Sequence, residues 1–125
     1  MSDNLWPDFK TLPQPRTVRR VLLEAGEGLA DRTNGRLRCE VDTKPGGKAR
    51  FVHEGYLVAP ALGYRYPLFR VEENGDPYPV TLIGDGTFKQ GTGAADESTL
   101  LVNLGLLFRS DSTKRTVLEL LDIVS

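Results

Sequence analysis

The sequence predicts an α+β domain: an N-terminal helix, a four-stranded antiparallel meander sheet and two C-terminal helices, in that order. Three observations predict it. Apolar residues recur at helical spacing from Val18 to Leu29, alternate with polar ones from residue 36 onward, and return to helical spacing after Asp96. Turn-forming clusters separate the alternating segments closely, so consecutive strands pair as neighbours and the helices cover one face of the sheet.

Residues 1–15 contain Pro7, Pro13 and Pro15 and read as an extended arm ahead of a single domain over residues 16–125. Leu5, Trp6, Phe9 and Leu12 are apolar for a solvated tail, so the arm is expected to dock on the body, with a partner-binding segment as the alternative. Val18, Val21, Leu22, Ala25 and Leu29 then form one helical stripe, started by Thr17 or the Pro15 turn and stopped at Asn34-Gly35. Gly26 and Gly28 each weaken that helix by about 1 kcal/mol relative to Ala, which points to close packing on another element or to a frayed last turn.

The first strand sets Leu37, Cys39 and Val41 against Arg36, Arg38, Glu40 and Asp42. A turn at Lys44 to Lys48 leads into a second strand from Arg50 to Ala59, broken by Pro60 to Gly63. The third strand runs from Tyr64 to Glu72, and Asn74-Gly75 predicts a hairpin turn with positive φ angles. Tyr78 to Ile83 forms the fourth, ended by Gly84-Asp85-Gly86; Pro67, Pro77 and Pro79 place parts of strands three and four at an edge or bulge. Thr87 to Ala95 reads as a loop. Asp96 or Ser98 caps a helix carrying Leu100, Leu101, Leu104, Leu107 and Phe108, and Ser112 caps a last helix with Val117, Leu120, Leu121 and Val124.

With 125 residues, 39% hydrophobic and 26% charged, the chain has the make-up of one globular domain, not of a disordered or fibrous one. Its net charge of −1 gives no global pull toward nucleic acid or an anionic membrane. The charges are unevenly spread: residues 16–50 carry nine Arg or Lys against five acids, residues 51–98 three against seven. These blocks either face each other in the fold or make a bipolar surface that orients a partner. The lone Cys39 implies a reducing compartment, and neither a secretory pattern nor a membrane-length apolar run is present, so a cytosolic protein that does not bind membranes is expected.

The run from Pro15 to Val41, the segment Tyr56 to Leu62, the strand Tyr64-Arg65-Tyr66-Pro67-Leu68-Phe69, Tyr78-Pro79-Val80, and the close at Phe108, Ser110 to Ser112 and Thr116 to Leu118 together resemble a group of small uncharacterised bacterial proteins. The resemblance covers the chain from about residue 5. It implies a single cytosolic domain and carries over no activity, cofactor or catalytic residue.

His53 is the only histidine, and pairing of the first two strands would bring it toward Cys39 as a thiol-imidazole site. Cys39 shares the apolar parity of Leu37 and Val41, where a thiol is inert, and His53 reads as a strand-surface residue. No metal-ligand set, phosphate-cradling glycine frame or pocketed carboxylate pair is present, so neither catalysis nor a cofactor is expected. The reading that follows is a non-enzymatic protein-interaction module, of the accessory-subunit or immunity-protein type in a bacterial system. Arg16, Arg19 and Arg20 would steer the encounter and Trp6, Tyr64 and Tyr66 would anchor it, since interfaces favour these residue types. A nucleic-acid-associated protein using the basic 16–50 region, with Tyr64, Tyr66 and Tyr78 stacking on bases, is the alternative. Homo-oligomerisation and the identity of the sheet's edge strand stay open.

Overall fold

The structure, a computed structural model, describes residues 4–84 and 87–125. Helix α1 (Val18–Arg32) is followed by β1 (Arg38–Pro45), β2 (Phe51–Ala59), β3 (Tyr64–Glu73), β4 (Val80–Gly84), β5 (Thr92–Ala94), α2 (Glu97–Phe108) and α3 (Asp111–Val124). The strands form one antiparallel sheet whose spatial order, β1-β2-β3-β4-β5, is the order of the chain. The α+β class and the meander are as the pattern predicts, with five strands in place of four. The extra strand lies in the segment expected to be a loop: Thr92, Gly93 and Ala94 pair with Leu82, Thr81 and Val80.

Local chemistry sets the ends of α1. The Thr17 hydroxyl accepts from the Arg20 N–H at 3.0 Å, and after the last turn Asn34 (φ 53°) and Gly35 (φ 76°) take the left-handed conformation. Buried Thr33 ties this turn to β1, its hydroxyl accepting from the Leu37 N–H at 3.1 Å. α2 is capped by Asp96, which accepts from the Thr99 N–H. Ser110, not Ser112, caps α3 by accepting from the Thr113 N–H, which starts that helix two residues earlier than expected.

The connection between β3 and β4 also departs from expectation. Neither Asn74 nor Gly75 has a positive φ. The turn is wider, closed by the Asn74 N–H on the Pro79 carbonyl at 2.9 Å and the Gly75 N–H on the Pro77 carbonyl at 3.1 Å. Gly75 is needed for space: a Cβ there would overlap the Tyr78 carbonyl. Two prolines, each after a cis peptide bond, precede Val80, so the strand starts there and not at Tyr78. Pro67 does lie at a bulge, since Gly55 pairs with Phe69 and Tyr56 with Pro67, leaving Leu68 as the extra residue. The expected Gly84-Asp85-Gly86 break falls partly outside the described residues, as do residues 1–3 of the arm.

The helices cover one face of the sheet. Val18, Val21 and Leu22 of α1, and Leu100, Leu104 and Leu107 of α2, close over Leu57, Phe69, Val71, Val80 and Leu82. Gly26 lets α1 approach β1 because a Cβ there would run into the Cys39 side chain. A smaller cluster of Leu37, Ala59 and Leu120 seats α3 at the far end. On the open face, Arg38 pairs with Glu40, Lys44 with Glu54, Arg65 with Asp42, and Arg70 with Glu72. The arm does not dock as expected: Leu5, Trp6, Phe9 and Leu12 are all exposed. No helix among the described residues is long and apolar enough to cross a membrane.

Candidate functional site

The arm carries its own local structure. The Asp8 carboxylate accepts from the Lys10 N–H at 3.0 Å and its carbonyl from the Thr11 N–H at 3.2 Å, closing a 3-10 turn at Phe9–Thr11. Upstream, the Asn4 side chain accepts from the Trp6 N–H at 3.1 Å. These turns bring the Trp6 and Phe9 rings together, centroids 6.2 Å apart and tilted at 42°. Trp6 remains 73% exposed and Phe9 59%, so the pair rests on itself and not on the body.

Where the arm meets α1, Arg16 is committed to structure. Its guanidinium donates to Glu24 at 2.7 Å and to Glu97 at 2.8 Å, joining the start of α1 to the start of α2, and both hydrogen bonds hold its pKa above the ordinary value. Arg19 and Arg20 are exposed and, among the described residues, without an ion pair. Beside them a cleft of about 380 Å³ is lined by Arg19, Thr43, Arg50, Phe51, His53 and Glu73.

Tyr64 and Tyr66 stand elsewhere. Tyr64 pairs with Ala59, at the end of β2 opposite to Phe51, and Tyr66 lies two residues further on. Both line a groove against Leu120 and Ile123 of α3. The anticipated site residues are therefore scattered: Arg16 and Arg19 lie beside the Phe51 end of β2, Arg20 lies beside Arg38 and Cys39, and Tyr64 and Tyr66 lie at the Ala59 end.

The thiol-imidazole pairing is excluded by register. Cys39 lies opposite Leu57 and His53 opposite Thr43, four residues along β1 and so about 13 Å apart. Burial pushes the Cys39 thiol up to about 11, which keeps it neutral. His53 is not at the strand surface either: it is 2% exposed. Its Nε2 lies 2.5 Å from a Glu73 carboxylate oxygen and its Nδ1 2.8 Å from the Thr43 hydroxyl. The buried His53–Glu73 pair clamps β2 to β3, and the hydroxyl of exposed Thr43 ties it to β1. Parity could have revealed it, because Thr43 follows Cys39 and Val41, and Glu73 follows Phe69 and Val71, on the inward face.

The charge blocks partly neutralise one another. Arg16 meets Glu97, Lys44 meets Glu54, and Arg50 meets Asp76, each pair joining the basic stretch to the acidic one. Comparison of the chain with family models, with curated proteins and with solved structures finds no match.

Proposed function

We propose that the protein is a non-enzymatic binding module that recognises another protein through its N-terminal arm. The observation that carries this reading is the Trp6–Phe9 pair, preformed on a capped turn and left in water. Covering these rings in a partner's apolar groove is worth about 3 kcal/mol for each. Pro7 and Pro13 limit the freedom the segment loses on docking, which favours affinity. Arg19 and Arg20 supply positive charge beside the arm's root and speed the encounter with an acidic partner. Tyr64 and Tyr66 belong to a second, separate contact surface, and an accessory-subunit or immunity-protein role is the biological form this reading takes.

The test is recovery of bound macromolecules from host extract by the wild type, by Trp6→Ala with Phe9→Ala, and by Arg19→Glu with Arg20→Glu. A stoichiometric protein held by the wild type, lost from the aromatic variant and slower to bind the charge variant is the expected result. The same partner held equally by all three overturns the arm as the contact. Nucleic acid retained by the aromatic variant but released at high salt would assign function to the basic 16–50 region instead.

A further inference from the structure

Between α1 and the α2–α3 corner, over the β1–β3 side of the sheet, lies a cleft of about 330 Å³. Leu57 and Leu68 floor it, and Leu29, Phe108 and Val117 wall it. The volume falls within the range of small-molecule sites, and the lining is apolar as such sites are. α1 leaves it open at Gly28, where a Cβ would meet nothing within 4 Å.

Two cations line the same cleft: Arg32 from the last turn of α1 and Arg109 at the C-terminal cap of α2. Among the described residues neither has an ion pair, whereas Arg16, Arg38, Arg50, Arg65 and Arg70 are each paired with a carboxylate. Gly105 lets Arg109 lie back along α2, since a Cβ there would stand 3.1 Å from its guanidinium nitrogen. An apolar hollow joined to two uncompensated guanidinium groups is complementary to a molecule with an apolar body and one anionic end.

We propose that this cleft binds a small amphiphilic monocarboxylate of about ten non-hydrogen atoms, its apolar body against Leu57, Leu68 and Phe108 and its carboxylate between Arg32 and Arg109. The site is separate from the arm and stands or falls independently of the partner-binding reading.

Octanoate and octanol are suitable probes, differing chiefly in the charged head group. Calorimetry is expected to show one octanoate bound per chain and octanol bound about tenfold or more weakly. Arg32→Glu with Arg109→Glu should remove octanoate's advantage while leaving octanol binding in place. Gly28→Phe, or Val117→Trp should the first variant not fold, fills the hollow and should abolish both. Because Cys39 lines the cleft and is the only cysteine, saturating octanoate should also slow its alkylation in the unmodified protein. Equal affinity for the two probes overturns the carboxylate assignment. Octanoate binding that survives a folded plugged variant, an unchanged Cys39 alkylation rate at saturation, or no octanoate binding up to about 10 mM overturns the site.

Discussion

His53 and Glu73 are twenty positions apart in the chain, yet the strand registers set His53 opposite Thr43 and Val71, and its buried ring reaches the buried Glu73 carboxylate two residues beyond Val71. Replacing His53 by Ala leaves the Glu73 carboxyl buried without its imidazole partner, which should cost about 3 kcal/mol or more in denaturant unfolding. The pair His53→Leu with Glu73→Met should recover much of that loss, because no polar group is then stranded; a double variant less stable than the single would show that packing, not pairing, holds the clamp. Cys39 makes a second prediction at this scale. A thiol pushed up to about 11 in the fold, from 9.0, favours the folded state fully below pH 9 and loses that contribution as pH rises from 9 toward 11. Alkylation at pH 8 should accordingly run about 100-fold slower in the folded protein than in denaturant, and equal rates would place the thiol in water. Sequence parity set Cys39 among Leu37 and Val41, so its inward-facing, partly buried place was legible. The partnership of His53 was legible only in part: parity puts Thr43 and Glu73 at inward positions, but their contact with His53 depends on turn lengths that fix register across two connections.

At the scale of elements, the helices were the most legible parts because their signals are local: a stripe, a hydroxyl or carboxylate cap, and a glycine stop lie within a few residues of each other. Ser112 was expected to cap the last helix, but Ser110 does so, and both residues are serines with the side chain a cap needs. β5 had no comparable signal, being three residues, Thr-Gly-Ala, whose pairing comes from β4 and from the α2 it packs against. Gly26 makes the packing argument testable. Gly26→Val should force α1 away from β1 at Cys39 and lower the thermal midpoint by several degrees, whereas Gly28→Ala, into open space, should raise it slightly through helix propensity. Equal effects at the two positions would mean that α1 is not held close at Cys39.

For the molecule as a whole, the class and the single sheet were readable, but the position of the arm was not: composition says that Trp6 and Phe9 are apolar, and cannot say which molecule covers them. The same limit applied to the edge strands, now identified as β1 and the short β5. The outward side chains of β1 run Arg38, Glu40, Asp42, Lys44 along its polar face. That order is a charge palindrome about Val41. If two copies joined their β1 edges antiparallel around a two-fold axis through Val41, Arg38 would oppose Lys44 of the second copy and Glu40 would oppose Asp42, setting like against like at every outward position. Asp42→Lys with Lys44→Glu converts each opposition into an attraction, and sedimentation should then reveal a concentration-dependent dimer where the parent edge gives none; a variant that stays monomeric would mean that strand twist, not charge, blocks the union. In that register the sign pattern on one strand would act as a symmetry filter, opposing the mirror-ordered copy of itself while leaving an unrelated strand free to pair.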